Sequence, residues 1–178
     1  DNRLPRAFLV PQYQVLSGDR ETCGILASPL FNPAQTVLLD SAPDFGRAAA
    51  AEQQRFGKDA NGVAETARIT RYRNNEIALE VVSSRNQMLF LSETFYPGWT
   101  ASVDGRRVRI HRANHAFRAV AVTPGRHTVT FRYDPWSFKL GAAISLLGVA
   151  GISTALIAVR RVKKRATVHT GGQGAPIL

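Results

Sequence analysis

The stretch that decides the architecture is LGAAISLLGVAGISTALIAV, residues 140–159, which contains no charged residue, Asn, Gln or Pro. Nine of its 20 residues are Leu, Ile or Val, and its polar groups are the hydroxyls of Ser145, Ser153 and Thr154. At about 1.5 Å per residue, a helix of this length is roughly 30 Å long, which matches the hydrocarbon core of a bilayer. A helix buried in a soluble core is usually shorter and carries a polar stripe, which is missing here. The sequence therefore predicts a single transmembrane helix.

The two flanks of this stretch differ in charge. Five cations follow it within six residues, and no acidic residue occurs from there to Leu178. The cations are Arg160, Arg161, Lys163, Lys164 and Arg165. The positive-inside rule keeps this end in the cytoplasm. On the other flank, the rings of Tyr133, Trp136 and Phe138 are candidates for anchors at headgroup level.

These flanks predict three segments in a membrane protein. Residues 1–139 form an extracytoplasmic β-rich domain, residues 140–159 cross the bilayer, and residues 160–178 form a basic cytoplasmic tail. A tail-anchored cytoplasmic protein is the competing interpretation, but it would carry five cations through the membrane. Because no export signal precedes the domain, we expect the chain to be the C-terminal piece of a longer protein with transmembrane helices upstream.

Composition excludes several other classes of protein. The single Cys23 cannot form an internal disulfide, and no cysteine or histidine spacing typical of a zinc module occurs. The chain has 23 basic and 13 acidic residues, a net charge of +10. The five cations after the apolar stretch account for half of this excess, so the charge gives little support to nucleic-acid binding. We expect no cofactor and no metal in this chain.

The outer segment reads mainly as β-strands. Turn signals recur about every ten residues between Glu65 and Tyr133, as is typical of a β-sandwich. They are Asn74-Asn75, Arg85-Asn86, Pro97-Gly98, Asp104-Gly105 and Pro124-Gly125. The Asp-Gly pair predicts a type I′ hairpin. We expect a mainly β fold, an antiparallel β-sandwich of immunoglobulin-like or jelly-roll-like type with one short helix, followed by the membrane helix.

The strands in between show their own patterns. Alternation places Ile77, Leu79 and Val81 on one face of a strand, and likewise Val129, Phe131 and Tyr133 on one face of another. The continuously apolar 89–91 predicts a central strand covered on both faces. In the first sixty residues, 7–10 and 36–39 are short apolar runs that could form edge or parallel strands. The alanine-rich stretch after Ser41-x-x-Asp44 predicts a helix ending near Gly57.

Catalytic chemistry is weakly indicated. Glu93 and Asp104 are the two acids near the YPGW turn, and a glycoside hydrolase needs such a pair, but the turn itself explains Asp104. The β region also holds His111, His115 and His127, whose strand phases do not require them to converge on a metal. No nucleophile elbow, P-loop or dinucleotide fingerprint occurs.

Binding is better supported than catalysis. Tyr96 and Trp99 are candidates for an aromatic platform under a sugar ring, the alternative being a role in the core. A basic set on adjacent predicted strands is a candidate for contact with anionic headgroups or a lipid-linked phosphate, the alternative being a solvated face. It consists of Arg106, Arg107, Arg109, Arg112 and Arg118. Within the apolar stretch, Gly141, Ser145, Gly148 and Gly151 are small residues suited to packing against other helices.

An ordered set of motifs resembles the C-terminal region of bacterial YfhO-type membrane proteins. The motifs are LPRA at 4–7, SETFYPGW at 92–99, Asp104-Gly105, FRAVAVTPGRH at 117–127 and FRYDP at 131–135, followed by Gly141 and Ser145. Members of that family are polytopic and similar to GT-C glycosyltransferases, which take sugars from polyprenyl-phosphate carriers. The resemblance implies a β-rich outer domain and a terminal helix. The acid that assists transfer in GT-C enzymes would lie upstream of Asp1, so the resemblance implies no catalytic residue here.

Three functions remain open at this point. The chain is an accessory outer domain of a membrane glycosyltransferase, a module that binds envelope polysaccharide without a transferase, or a structural plug on a transmembrane bundle. The partners expected are the lipid bilayer, upstream helices of the same protein, and a polyprenyl-phosphate sugar or envelope glycan.

Overall fold

The computed structural model describes residues 4–46 and 64–170, with the side chains of the last helix described as far as residue 158. The chain divides into two units, Asp1–Asp134 and Pro135–Leu178. The first contains the β-strands and the second the long helix. The predicted helix in the alanine-rich stretch lies outside the described residues.

In its described residues, 4–46 and 64–134, the first unit contains eleven strands and one short helix. In chain order these are β1 (Ala7–Val10), β2 (Gln12–Val15), α1 (Asp19–Leu26), β3 (Thr36–Leu39), β4 (Thr66–Arg73), β5 (Glu76–Ser83), β6 (Gln87–Leu91), β7 (Trp99–Val103), β8 (Arg106–Val108), β9 (His111–Ala113), β10 (Phe117–Val122) and β11 (Gly125–Tyr133). The prediction of a mainly β domain is confirmed.

The strands form two sheets. The first has the order β1-β6-β10-β9-β3-β2 and the second the order β4-β5-β11-β7-β8. All pairs are antiparallel except β2 with β3, which are parallel. Parallel neighbours need a crossover connection, and here that connection contains α1. Residues 36–39, a candidate edge or parallel strand, form the β3 of this pair, whereas β2 and the short helix between β2 and β3 were not predicted.

The main core lies between the sheets. Ile77, Leu79 and Val81 of β5 are at most 2% exposed, and Phe131 of β11 is fully buried. Leu89 of β6, in the other sheet, belongs to the same apolar cluster. The alternating pattern of the sequence thus identified the inward face of the second sheet, because every second side chain of a strand points to the same side.

Strand β6 is covered on both faces, as its continuous apolar run predicts. Leu89 and Leu91 face the main core, whereas Met88 and Phe90 belong to a second apolar cluster. That cluster also includes Val10, and the rings of Phe8 and Phe117 pack against it, each within 5.6 Å of the Phe90 ring. Strand β6 therefore has no polar face because each of its two faces packs into an apolar cluster.

The β7–β8 hairpin forms the tight turn that the Asp-Gly pair predicts. Asp104 and Gly105 have φ angles of 50° and 79°, and Val103 pairs directly with Arg106. Two successive positive φ angles define a type I′ turn, in which glycine carries no steric penalty and Asp a tolerable one. Arg73 and Glu76 are likewise directly opposed across Asn74-Asn75, although neither asparagine has a positive φ angle.

The second unit is helix α2, Trp136–Thr170. It begins four residues before the apolar stretch and continues through the five cations. Among the described residues, Trp136–Ala158 is the one helix long and apolar enough to cross a membrane, with a mean hydropathy of 2.0. The hydroxyls of Ser153 and Thr154 donate to carbonyls one turn earlier, at 2.8 and 3.0 Å. Their polar groups are therefore satisfied within the helix, which lowers the cost of burial in lipid.

Candidate functional site

Three aromatic rings meet where β11 ends and β7 begins. Tyr133 pairs with Trp99 across these strands, and their ring centroids are 5.4 Å apart. The Tyr96 ring lies 6.4 Å from the Tyr133 ring and is 61% exposed. We call Tyr96, Trp99 and Tyr133 the aromatic end of the domain. It offers exposed ring surface on a packed base, the arrangement that a sugar-binding platform requires.

Arg118 lies beneath this aromatic end. Its guanidinium carbon is 4.0 Å from the centroid of the Trp99 ring and 5.6 Å from that of Phe131. The residue is 1% exposed, so it does not share a solvated face with the other arginines. Within the described part of the chain, its Nε and Nη1 atoms have no hydrogen-bond partner. Burial lowers the pKa of Arg118, while the nearby Glu93 and Tyr72 act in the opposite direction.

A polar cluster neighbours the Arg118 side chain. The Tyr72 hydroxyl donates to Glu93 Oε1 at 2.8 Å, and Arg6 Nε lies 3.7 Å from the same oxygen. The Arg6 guanidinium also lies over the Tyr72 ring, 4.9 Å from its centroid. The hydrogen bond to Glu93, with a smaller contribution from burial, raises the pKa of Tyr72. Glu93 is thus engaged by a phenol and a guanidinium.

Replacing Arg118 by Met is expected to leave the domain as stable as before or to stabilise it by up to about 2 kcal/mol. The change removes a cation–π contact but also removes buried N–H groups that lack acceptors, each of which costs about 1–3 kcal/mol. The measurement is the thermal unfolding of the chain in detergent, followed by near-UV circular dichroism. Arg118→Ala, which leaves a cavity, serves as the control and should destabilise the domain. A clear loss of stability in Arg118→Met would show that the charge has a compensating partner.

The second site is a cleft of about 730 Å³ between β8 and the end of β10. We call it the basic cleft. It is lined by Arg106, Arg107, Arg109, His111 and His127, together with Asp44 and Asp104 and several small or apolar residues. The structure therefore separates the predicted binding residues into two groups: Tyr96 and Trp99 belong to the aromatic end, with Arg118 beneath it, and Arg107 and Arg109 belong to the basic cleft.

A hydrogen-bonded chain closes one side of the basic cleft. His127 Nδ1 lies 2.7 Å from Asp104 Oδ2, and the backbone N–H of Thr128 donates to Asp104 Oδ1 at 2.8 Å. His127 Nε2 is 3.0 Å from the Thr123 carbonyl oxygen and 3.3 Å from its hydroxyl. Burial alone would raise the pKa of Asp104, but these hydrogen bonds outweigh it and the pKa is lowered.

This chain of Thr, His and Asp resembles a nucleophile triad in composition only. The shorter contact of Nε2 is with a carbonyl oxygen, which can only accept a hydrogen bond, so the ring is matched there as a donor. A general base needs a free lone pair facing the hydroxyl. The hydrogen bonds of Asp104 and His127 instead hold the β7–β8 turn against the β10–β11 hairpin.

Among the described residues, the remaining titratable side chains form separate small groups and do not meet at one site. Arg112 Nη2 lies 2.7 Å from Asp19 Oδ1, and His115 is also near Asp19. Ser41 Oγ is 3.0 Å from Nδ1 of the buried His111. In residues 4–46 and 64–158, no group of three or more His, Cys, Asp and Glu side chains is arranged to hold a metal. Glu93 and Asp104 lie at opposite ends of the sandwich, so they do not form the carboxylate pair of a glycoside hydrolase.

His111 predicts a loss of stability in acid. Burial lowers its pKa below the ordinary 6.5, which outweighs the opposing effect of Asp40. Between that ordinary value and the lower folded one, the unfolded chain binds a proton that the folded chain does not. The stabilisation is therefore complete above about pH 6.5 and declines below it. Thermal unfolding at pH 7.5 and 5.0 should show this decline, and His111→Gln should reduce it. A decline of equal size in the variant would contradict the assignment to His111.

The membrane-facing predictions involve residues of α2. Trp136 and Phe138 are 74% and 76% exposed in the first turn of the helix. A Cβ atom added at Gly141, Gly148 or Gly151 would meet nothing within 4 Å. These positions remain candidates for interface anchoring and helix packing. The side chains of the five cations lie outside the described residues.

Some residues near the aromatic end were not predicted as part of a site. Tyr133 was assigned to a membrane anchor, and Tyr72 and Arg6 were not singled out. The pairing of Tyr133 with Trp99 depends on β11 lying beside β7, which no local pattern reveals. The available signal for this contact was that β7 begins and β11 ends with an aromatic residue, Trp99 and Tyr133 respectively.

The comparisons with known proteins agree with this architecture. A family model described as "Bacterial membrane protein YfhO" matches residues 48–145, more than half of the chain. The chain is 26% identical over 92 residues to a protein of Bacillus subtilis (strain 168) called "Uncharacterized protein YfhO". That alignment covers 52% of this chain and 10% of the relative, so the match spans about a tenth of the relative's length. No solved structure matches the chain.

Proposed function

The chain belongs to the YfhO family of bacterial membrane proteins, and from this membership we propose a role in sugar transfer. It acts as the extracytoplasmic accessory domain and terminal helix of a polytopic, GT-C-like glycosyltransferase. The parent protein transfers sugar from a polyprenyl-phosphate carrier to a cell-envelope acceptor. The chain itself holds the sugar and supplies no catalytic group.

The aromatic end is the observation that carries this proposal. Its rings form a surface of the kind that packs against the apolar face of a sugar, and Tyr96 is exposed enough to do so. Arg118 places a positive charge beneath Trp99, which favours an anionic group close to the sugar. Only Asp134 and Pro135 separate Tyr133 from the first residue of the helix. The aromatic end therefore lies close in sequence to the membrane helix.

The helix and its flanks support the proposed location. An apolar helix of 23 residues is long enough to cross the hydrocarbon core. The five cations after it favour a cytoplasmic tail and an outward β-domain. That side of the membrane is where the polyprenyl-linked sugar would be used.

Sugar transfer by the natural full-length protein in membranes tests the proposal. Tyr96→Ala should lower transfer at limiting carrier concentration about tenfold, the factor that corresponds to about 1.4 kcal/mol of lost binding energy. The matched control is Tyr13→Ala, which changes a second exposed tyrosine, on β2 and away from the aromatic end. This variant should leave transfer within twofold of the natural protein. Equal transfer by the two variants would show that the aromatic end does not contribute to sugar transfer.

The alternative is an envelope polysaccharide-binding or structural module without transferase activity. If the full-length protein transfers no sugar but still binds envelope glycan, and Tyr96→Ala abolishes that binding, the binding module is correct. If it neither transfers sugar nor binds glycan, the structural role is correct.

A further inference from the structure

The basic cleft lies where the chain crosses between the two sheets. Strand β8 forms the edge of the second sheet, and β9, three residues further on, belongs to the first. Arg109 lies in this crossover, and Arg106 and Arg107 precede it on β8. All three residues therefore line one cleft from neighbouring positions of a single edge.

The side chains of these three arginines form no close ion pair with a described residue, although Arg106 lies near enough to Asp104 to help lower the pKa of that carboxyl. In the described ranges of the chain, no salt bridge or side-chain hydrogen bond involves Arg106, Arg107 or Arg109, whereas Arg71, Arg112 and Arg132 each pair with a carboxylate at 2.7–3.0 Å. Unpaired arginines on separate surfaces would be unremarkable. Because all three line one concave site, positive charge exceeds negative charge among the described residues of the cleft.

The acidic residues of the cleft do not cancel this charge. Both oxygens of Asp104 are occupied, one by His127 and one by the Thr128 N–H. Asp44 accepts from the Gly46 N–H at 2.7 Å. Among the described residues, the cleft thus contains three guanidinium groups without a salt bridge and two carboxylates that already have donors.

We propose that the basic cleft binds a phosphate ester or phosphodiester group. Guanidinium forks bind phosphate oxygens through paired N–H donors, and several such forks match a group with more than one charged or polar oxygen. The volume of about 730 Å³ lies within the range of small-molecule sites. It therefore has room for the organic part that carries the phosphate as well as for the phosphate itself.

This site is separate from the aromatic end. His127 lines the cleft near the start of β11, and Tyr133 ends the same strand six residues later. At about 3.3 Å per residue, roughly 20 Å of strand lies between them. One sugar ring cannot contact both surfaces, so the cleft is a second binding site and does not depend on the proposed function.

The test uses the whole chain in nanodiscs of phosphatidylcholine at constant pH, titrated with inorganic phosphate. Histidine ring signals in NMR spectra report the binding. Signals of His111 and His127 should shift, while that of His115, which lies outside the cleft, should not. The double variant Arg107→Gln, Arg109→Gln should bind phosphate at least tenfold more weakly. The matched control Arg68→Gln, Arg73→Gln removes the same charge from exposed positions on β4 and should bind within twofold of the natural chain.

A second arm distinguishes the source of the phosphate group. In nanodiscs that contain phosphatidylglycerol, a lipid headgroup in the cleft would abolish the response to added phosphate, whereas a cleft reserved for soluble ligands would keep it. Both results support a phosphate site. An equal loss of binding in the two double variants, or no shift of His111 and His127 in phosphatidylcholine, would overturn the proposal.

Discussion

A chain in which Phe131 is replaced by Ala should lose about 3–5 kcal/mol of its free energy of unfolding. Phe131 is fully buried between the sheets, paired with Ile77 of β5 on one side and Ala101 of β7 on the other. Its ring also packs near the Arg118 guanidinium. The substitution therefore leaves a cavity in the main core, next to the buried guanidinium group of Arg118. Since small domains are stable by only about 5–15 kcal/mol, the loss is a large fraction of the total.

Denaturation of the chain in detergent measures this effect. Phe131→Leu should cost much less than Phe131→Ala, because it retains most of the apolar volume. Thr128→Ala, on the exposed face of the same strand, should change stability by no more than about 1 kcal/mol. A loss below about 1 kcal/mol in Phe131→Ala would contradict the position of this ring in the core.

Two arginines in the middle of α2 should prevent its insertion into the membrane. Leu147 and Gly148 lie near the centre of Trp136–Ala158. Each arginine at the centre of a span costs about 2.5–3.5 kcal/mol. Together they outweigh the roughly 3–5 kcal/mol that the Leu, Ile and Val residues contribute at about 0.3–0.6 kcal/mol each. The double variant Leu147→Arg, Gly148→Arg should therefore leave the membrane fraction.

Carbonate extraction of the separately exported chain measures insertion. The matched control is Trp136→Arg, Ser137→Arg, which adds the same charge at the start of the helix, where arginine can extend to the interface. The control should stay in the membrane pellet. Retention of the Leu147→Arg, Gly148→Arg variant in the pellet would show that α2 does not cross the bilayer.

Local patterns predicted the parts of the fold that depend on local physics. The alternation of Ile77, Leu79 and Val81 is a property of one strand, and the Asp104-Gly105 turn depends on two adjacent φ angles. The parallel β2–β3 pair was not predicted because every residue of β2 is exposed, so it carries no alternation of apolar side chains. Helix α1 was missed for a similar reason, since Thr22 is its one buried residue.

The candidate sites depend on strand pairing, which a single sequence does not reveal. Trp99 and Tyr96 were recognised from the YPGW turn, but their contact with Tyr133 requires β7 to lie beside β11. Arg118 was grouped with the other arginines because it lies on an adjacent predicted strand. Its strand belongs to the first sheet and its side chain points into the interior, so it stacks on Trp99 instead.

The orientation of the two units across the membrane is tested most directly by cysteine labelling of the natural full-length protein. Cys23 is an exposed free thiol of the β-domain, and Thr167→Cys in a Cys23→Ser background introduces one in the tail. An impermeant maleimide added to intact cells should label Cys23 and should reach the tail cysteine only after the cells are opened. Labelling of the tail alone in intact cells would contradict the account.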